Sequence, residues 1–189
     1  RSSIAELLDN PKHIIEAPLY FVFVADLSRQ EQIAHMHSLE MGSLQSEALL
    51  IATVDTTLAA QNMMIAAESL GLGGVYTGVL RNYPEEISKI LNLPDKSFAL
   101  FGLCLGYPSK VNEVKPRLQI EEVLHINLYN TAKSIENLAK YDKEMEAYYL
   151  NRSSNTKTEL WTDQMAHYFS NTLRPHMNSF LSSKGFKLK

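Results

Sequence analysis

The feature that most constrains the fold of this chain is a long apolar segment that runs from Ser43 to Leu70. Its apolar residues recur at three- and four-residue steps, the spacing that places side chains on one face of an α-helix. Leu49, Val54 and Ile65 lie outside that stripe, so the predicted helix is apolar on nearly every side. Such a helix is buried all round. In a chain of 189 residues we expect another subunit to cover its second face.

A cluster of glycines follows this helix. Four of the eight glycines in the chain lie between Gly71 and Gly78. Gly71 stands at the expected end of the helix, where glycine commonly adopts a positive φ. The glycines after it flank the strand-like residues 75–77. Glycine is favoured where φ is positive or where another group approaches the backbone closely, and the sequence leaves open whether that group is a helix or a ligand.

The rest of the chain predicts two clear strands and several helices. Residues 19–27 and 98–106 are rich in aromatic and aliphatic residues and predict buried strands. Pro84 and two glutamates predict the start of a short helix capped by residue 82 or 83. Further helices are predicted over 132–152, 159–171 and 175–184. From the residues alone, both the α+β and the α/β fold class remain open. Two strands do not make a full sheet, so other segments, which the pattern does not identify, are expected to complete it.

Two segments carry more detailed expectations. Residues 28–42 are polar and show no clear period, which predicts a loop or an irregular helix. They contain His35 and His37, but two histidines without a third ligand nearby do not predict a metal site. The helix over 132–152 is amphipathic, with a predicted salt bridge between Glu136 and Lys140. Its predicted buried face consists of Ile135, Leu138, Tyr141, Met145 and Tyr148.

Composition excludes several classes of protein. The formal net charge is −3, with 18 basic and 21 acidic side chains, and no long run of either sign suggests nucleic-acid binding. No stretch of about 18 apolar residues lacks polar interruption, so no membrane span is expected. The single cysteine, Cys104, excludes an intrachain disulfide and is expected to lie in the core. We expect a cytoplasmic location and no signal peptide.

The common catalytic motifs are absent from the sequence. It contains neither the phosphate-binding loop Gly-x-x-x-x-Gly-Lys-Ser/Thr nor Gly-x-Ser-x-Gly. The glycines from Gly71 onward follow a helix rather than a strand, so they do not form a Rossmann fingerprint. The acidic residues are isolated, and no general acid–base side chain is predicted.

Two basic clusters remain as candidate binding sites. Lys115 and Arg117 flank Pro116, and in an extended chain their side chains project to the same side and can bind one phosphate. The second cluster consists of Arg152, Lys157 and Arg174. From spacing alone, solvated loops explain both clusters better, because most lysines and arginines are simply exposed.

Several blocks, in order, resemble one known family. They are AAQNMMIAAESLGLGGVYTGVLRNYPEEISKILNLP, LFGLCLGYP, KPRL and YYLNRSSN. Together they resemble the NADPH-dependent flavin reductase and major oxygen-insensitive nitroreductase subgroup of the nitroreductase superfamily, from Pro18 to the C-terminus. The resemblance implies an α+β fold, with a mixed sheet flanked by helices. It also implies an interlocked, FMN-binding homodimer with a long central helix and two sites at the subunit interface. Residues 1–189 would form one FMN-binding domain, with a helical extension over 132–189.

The resemblance also implies which residues contact the flavin. Main-chain N–H groups of residues 76–79 are expected to face the N5 and O4 edge of the flavin ring, where a hydrogen-bond donor stabilises the reduced flavin. Lys115 and Arg117 match the KPR loop, which contacts the flavin phosphate and the pyrimidine edge. The predicted flavin-lining residues are Tyr76, Thr77, Gly78 and Val79.

Three further basic residues match nucleotide- or substrate-binding positions of the family. Arg152 matches an arginine that recognises NADPH, through its 2′-phosphate. Lys157 stands where relatives often have a second arginine. Lysine keeps the positive charge but cannot donate two parallel hydrogen bonds to one phosphate, as arginine does. Arg174 matches a basic residue near the substrate pocket. Because the flavin carries the chemistry, no catalytic side chain and no metal are expected.

The sequence departs from the family pattern at three places. Val79 stands where relatives often have glycine. Pro11 replaces a glutamine that hydrogen-bonds the flavin, so we expect that contact to be lost or made elsewhere. A basic HRSIR-like segment that grips the FMN phosphate is absent. The chain opens on Arg1 rather than methionine, and we expect it to lack an N-terminal segment.

The implied activity is a ping-pong oxidoreduction. NADPH reduces the bound flavin, and a small acceptor then takes two electrons in the same pocket. The expected acceptors are nitroaromatics, quinones, free flavin or azo compounds, and neither nucleic acid nor membrane is an expected partner. Two other classes stay open. One is a flavin carrier or redox sensor with little turnover, and the other is a non-catalytic helical dimerisation module.

Overall fold

The computed structural model describes residues 1–111, 113–152 and 156–187, which divide into two compact units. The first unit comprises Arg1–Ser109 and Arg174–Lys189, and the second comprises Lys110–Leu173. The chain therefore leaves the first unit after Ser109 and returns to it at Arg174. The C-terminal segment belongs to the same unit as the N-terminal half of the chain.

Within the described ranges, helices separate the three strands along the chain, and three α-helices follow the last strand. The helices of the described residues are α1 (Ser2–Leu7), α2 (Lys12–Glu16), α3 (Ser28–Met36), α4 (Ser46–Ser69), α5 (Pro84–Ile90), α6 (Ser134–Leu150), α7 (Trp161–Ser170) and α8 (Met177–Ser183). The strands are β1 (Leu19–Asp26), β2 (Gly73–Thr77) and β3 (Ser97–Gly106). Short 3₁₀ helices cover Gly78–Asn82 and Ile120–Glu122. This element order confirms the α+β class.

The three strands form one antiparallel sheet in the order β1-β3-β2. Cys104, in the central strand, pairs with Tyr20 on one side and with Val75 on the other. The prediction of a mixed sheet is wrong for the described strands, whose pairings are all antiparallel. Parallel pairing is limited there to one bridge between Leu44 and Phe186. Aromatic and β-branched content indicates a strand but says nothing about the direction of its neighbours.

Position in the sheet decides how deeply each strand is buried. Both long strands were predicted as buried. β3 has neighbours on both sides and is almost entirely buried or half-buried, including Leu103 and Cys104. β1 lies at an edge, and among its residues only Ala25 is fully buried. The prediction therefore holds for β3 and overestimates the burial of β1.

The long helix ends as the sequence predicted. α4 stops at Ser69, and Gly71 follows with φ of 77°. The Gly71 N–H donates to Glu68 O and the Leu72 N–H donates to Ala67 O, both at 3.0 Å. These two bonds form a Schellman motif, which satisfies the last carbonyl groups of the helix.

A close approach explains Gly74. A Cβ atom at this position would lie 2.7 Å from both Met64 Cε and Leu105 Cδ2. Met64 belongs to α4 and Leu105 to β3, so the backbone of β2 meets a helix and a strand at this point. The question left open by the sequence is therefore answered for Gly74 by packing rather than by a ligand.

Only one face of α4 is buried within the chain. Ala52, Ala60, Met64 and Ala67 are buried on that face. On the opposite face the side chains of Leu50, Val54 and Leu58 are 59%, 52% and 60% exposed. The expectation of a helix buried on every side is not met by the single chain, because no described element covers this second face.

By length and composition alone, α4 is long and apolar enough to cross a membrane. The sequence analysis expected no such segment, because polar residues interrupt it. This property is weak evidence, since a long core helix of a water-soluble protein passes the same test. Here the buried face of α4 packs Met64 and Ala67 against residues of β3.

Residues 28–36 form a regular helix, α3, rather than the predicted loop or irregular helix. Asp26 Oδ1 accepts hydrogen bonds from Ser28 N at 2.8 Å and Ser28 Oγ at 2.6 Å, which fixes the helix start. Glu31 forms a salt bridge with Lys96. No residue of α3 is buried, so this helix lacks the apolar stripe from which a helix is predicted.

The described residues contain no cluster of three or more potential metal ligands.

The predicted buried face of the helix over 132–152 needs correction. Tyr141 and Met145 of α6 are buried as expected, but Ile135 is 87% exposed. Tyr149 is buried, whereas Tyr148 is only half-buried. The buried stripe of α6 is therefore Tyr141, Met145 and Tyr149, spaced four residues apart. The predicted salt bridge between Glu136 and Lys140 is present at 2.7 Å.

The C-terminal segment completes a core cluster of the first unit. Phe186 is fully buried, and its ring meets that of Phe98 edge-on at 5.6 Å. Lys187 N donates to Leu44 O at 2.7 Å, next to the Leu44–Phe186 bridge.

Cys104 lies in a separate core cluster, and burial raises the pKa of its thiol. This confirms the expectation of a core cysteine.

Candidate functional site

The predicted flavin-lining segment lies at an edge of the sheet. In the described part of the chain, β2 has a strand neighbour only on the β3 side. The 3₁₀ helix Gly78–Asn82 continues directly from this edge strand. An edge strand presents backbone N–H and C=O groups that the sheet does not use. The sheet of the described residues therefore leaves the outer backbone groups of β2 without a strand partner.

The side chains of Tyr76 and Thr77 are engaged inside the first unit. The Tyr76 hydroxyl donates to Ala60 O at 3.0 Å, and its ring meets Phe101 edge-on at 5.5 Å. The Thr77 side chain is buried, with Oγ1 3.3 Å from the Tyr20 hydroxyl. Both side chains therefore have partners within the protein.

Burial affects the titration of both tyrosines around this segment. It raises the pKa of Tyr20, although the hydrogen bond with Thr77 acts in the opposite direction. It also raises the pKa of Tyr76, with a smaller contribution from the negative charge of Glu68. Both phenols therefore stay protonated at neutral pH, which keeps Tyr76 a hydrogen-bond donor to α4.

Arg174 lies beside the same segment. Its Nε donates to Asn82 Oδ1 at 2.8 Å, and its backbone has a positive φ of 45°. Two residues later, His176 Nε2 lies 2.8 Å from Arg81 O. The first unit thus brings Arg174 to the 3₁₀ helix that contains Gly78 and Val79. Val79 is half-buried and packs against a core cluster, so its extra side-chain volume is accommodated.

In the second unit, three of the predicted basic residues surround one tyrosine. Lys115 Nζ and Lys157 Nζ each lie 5.7 Å from the centroid of the Tyr149 ring. Arg152 Cζ lies 5.9 Å from the same centroid and 5.4 Å from that of Tyr148. We call Tyr149, Lys115, Arg152 and Lys157 the Tyr149 cluster. It joins residues that the sequence analysis placed in two clusters, while Arg174 belongs to the first unit.

Helix α6 anchors the segments that carry these cations. The Tyr141 hydroxyl donates to Pro116 O at 3.3 Å, which ties the loop containing Lys115 to the helix. Asp142 Oδ1 accepts from Thr162 N at 3.0 Å, and Oδ2 accepts from the Thr162 hydroxyl at 2.5 Å. The start of α7, which follows Lys157, is therefore also attached to α6.

Among the described residues, no salt bridge joins a cation of the Tyr149 cluster to a carboxylate. In the described part of the second unit, the salt bridge between Lys140 and Glu136 is the only one. Lys157 Nζ donates weakly to the neutral Gln164 Oε1 at 3.4 Å. Three positive charges without a counter-charge favour an anion, and phosphate groups suit lysine and arginine donors. The donor set therefore fits the phosphate groups of a nucleotide or flavin nucleotide. Arg117 is exposed.

Three residues that organise these contacts were not predicted from the sequence. The Tyr149 ring contacts the cations, Asp142 attaches α7, and Asn82 accepts a hydrogen bond from Arg174. The four-residue spacing of Tyr141, Met145 and Tyr149 is visible in the sequence, but a stripe that ends at Tyr148 fits the helical period as well. The roles of Asp142 and Asn82 depend on partners 20 and 92 residues away, and no local pattern indicates them.

The chain belongs to the nitroreductase family. The family model "Nitroreductase family" matches residues 10–107, and "Nitroreductase family, C-terminal domain" matches residues 115–189. Together they account for nearly all of the sequence, and they confirm the resemblance described above.

Individual relatives carry related names. The chain is 44% identical to the "CR(VI) reductase" of Pseudomonas sp. (strain G-1), over 100% of this chain and 78% of that protein. It is 39% identical to the oxygen-insensitive NADPH nitroreductase of Salmonella typhimurium, over 98% of this chain and 75% of the relative. The solved structure of NADPH:FMN oxidoreductase from Vibrio harveyi complexed with NAD+ aligns with a TM-score of 0.86 and 35% identity. That alignment covers 98% of this chain and 75% of that one.

Proposed function

We propose that this protein is an FMN-dependent oxidoreductase that uses NADPH to reduce small acceptors. The observation that carries the proposal is the Tyr149 cluster in a member of the nitroreductase family, since its three cations have no carboxylate partner within the described part of the chain. Relatives named for NADPH and for FMN support the two ligands. FMN, when bound, supplies the redox chemistry, and the protein binds and orients the reactants.

Two sets of residues bind the flavin in this proposal. The backbone of residues 76–79, at the open edge of β2, contacts the ring, while Tyr76 and Thr77 keep their side chains in the protein. Lys115 and Arg117 bind the phosphate and the pyrimidine edge. Support for their role comes from the KPR motif and from the absence of a carboxylate partner for Lys115 among the described residues. We further propose that residues 1–189 form one FMN-binding domain, with a helical extension over 132–189.

NADPH is the proposed electron donor, bound through Arg152 and Lys157. Arg152 supplies a planar fork for the 2′-phosphate, and Lys157 supplies a second charge. Both side chains belong to the Tyr149 cluster. This arrangement predicts a preference for NADPH over NADH, because NADH lacks the 2′-phosphate.

The proposed acceptors are nitroaromatics, quinones and free flavin, and Arg174 lies at their pocket. Its support is the hydrogen bond to Asn82, which places it beside the flavin-lining segment. The relative named as a Cr(VI) reductase adds chromate to the acceptors worth testing. The names of the relatives do not support a carrier or sensor with little turnover. We also propose a cytoplasmic location.

The direct test is the visible absorption spectrum of the purified protein before and after anaerobic NADPH. We expect a bound oxidised flavin whose absorption bleaches with NADPH and returns when a quinone, a nitroaromatic or chromate is added. Protein heated beyond unfolding, with the same free FMN, is the control. A protein that stays colourless after incubation with FMN would contradict the proposal. Bleaching without turnover by any acceptor would favour the carrier or sensor.

We also propose that the protein is a homodimer joined through α4. Leu50, Val54, Leu58 and Ile65 form an exposed apolar face on this helix, each more than half exposed. With 24 residues, α4 is about 36 Å long, so the face is extensive. Contiguous apolar surface of this kind marks an interaction site, and a second copy of the helix presents a matching apolar face.

The dimer is tested by the charge-introducing variant Leu58→Glu. We expect light scattering after size exclusion to give the mass of two chains for the original protein and of one chain for this variant. Met36→Glu, at an 80% exposed position on α3, is the matched control and should stay dimeric. If Leu58→Glu keeps the mass of two chains, α4 does not form the interface.

A further inference from the structure

We propose that Tyr149 is the positioning residue of the nucleotide site. Its ring holds Arg152 and Lys157 together, with the flavin-binding Lys115 against the same ring, so that Arg152 and Lys157 present one site for a phosphate group of NADPH. The inference deepens the proposed function and rests on the binding of NADPH by Arg152 and Lys157. Tyr149 does not touch the reacting atoms, and it acts through the three cations.

The Tyr149 ring is the fixed element of the cluster. It stands on α6 with 8% of its surface exposed, in a core cluster with Met145, which is 2% exposed. Its ring packs against that of Tyr148 at 5.3 Å between centroids. Tyr141, two turns earlier on the same helix, packs edge-on against Trp161 at 5.1 Å. The ring therefore has little freedom to move.

The three cations, by contrast, come from two segments outside regular helices. Lys115 lies in the irregular segment before the 3₁₀ helix Ile120–Glu122, and Arg152 and Lys157 lie between α6 and α7. Among the described residues, the bond from Lys157 to Gln164 is the only hydrogen bond from their side chains. Contact with one aromatic ring is what the three side chains share.

The electrostatic attraction between the Tyr149 ring and the three cations can position these cations for binding an anion. Three like charges repel one another, whereas the face of an aromatic ring carries partial negative charge that attracts cations. A ring that holds the cations near each other before the anion arrives lowers the ordering cost of binding. Removing electron density from the ring should therefore weaken binding of a nucleotide that carries the 2′-phosphate, even when the shape of the ring is kept.

The test replaces Tyr149 with phenylalanine and then with phenylalanines that carry one, two and three ring fluorines, introduced by nonsense suppression. Fluorine withdraws electron density and changes ring shape very little, so folding is preserved. We expect the Kd of NADP⁺, measured by calorimetry, to rise stepwise to about five- to tenfold across the series. The Kd of NAD⁺ should stay constant, and kcat should change little while the KM for NADPH rises.

The matched control is the same series at Tyr168, a 47% exposed residue of α7 with no cation over its ring among the described residues. A Kd for NADP⁺ that is flat across the Tyr149 series would overturn the inference. The variant Arg152→Ala distinguishes failure of the positioning role from failure of the proposed function. If Arg152→Ala weakens NADP⁺ binding while the Kd of NADP⁺ is constant across the Tyr149 series, only the positioning role of Tyr149 is wrong. If Arg152→Ala leaves NADP⁺ binding unchanged, the proposed nucleotide site itself is wrong.

Discussion

Arg152→Ala is expected to raise the KM for NADPH about 30- to 150-fold, because it removes a charged hydrogen-bonding group worth about 2–3 kcal/mol. The side chain lies over the rings of Tyr148 and Tyr149 and has no carboxylate partner among the described residues. Its charge is therefore free to bind a phosphate. The measurement is steady-state oxidation of NADPH and of NADH with a quinone acceptor.

Two comparisons make this result specific. The KM for NADH should stay within about twofold, because NADH lacks the phosphate that Arg152 binds. Lys140→Ala removes an exposed positive charge on α6 that pairs with Glu136, and it should leave both KM values unchanged. Equal increases in the two KM values for Arg152→Ala would instead indicate a general disturbance of the second unit.

Phe186→Ala is expected to lower the free energy of unfolding by about 3–5 kcal/mol. Phe186 is fully buried, packs edge-on against Phe98 and lies next to Leu44 in a core cluster. Truncation leaves a cavity that the surrounding β3 and α4 residues cannot fill without moving. Urea titration followed by circular dichroism measures the loss.

The control for this prediction is Met36→Ala, which truncates a side chain of comparable length at an 80% exposed position. Its effect should stay within about 0.5 kcal/mol. A loss below about 1 kcal/mol for Phe186→Ala would show that the C-terminal segment contributes little to the stability of the first unit.

Local signals in the sequence predicted the local parts of the fold. The periodicity of α4, the glycine at its end and the proline at the start of α5 each act within a few residues, and all three are present. The class of protein was likewise recognisable, because the family blocks stand in order along the chain. These signals do not depend on which distant segments pack together.

Packing between distant segments decided what the sequence did not predict. On α6, two neighbouring stripes fit a helical period, and contact with Leu118 and Trp161 favours the stripe through Tyr149. Arg174 was grouped with Arg152 and Lys157 because these residues are near one another in sequence. The chain returns to the first unit at Arg174, so its partner is Asn82 instead.

The return of the chain to the first unit has a consequence for synthesis on the ribosome. The core cluster around Phe98 lacks Phe186 until the whole second unit has been made. Domains generally fold as units during synthesis, at about 5–20 residues per second. The second unit, Lys110–Leu173, is therefore complete about 1–3 seconds before Phe186 is added to the chain. Until then, the apolar cluster that receives Phe186 stays incomplete, and this nascent state is the one most exposed to aggregation.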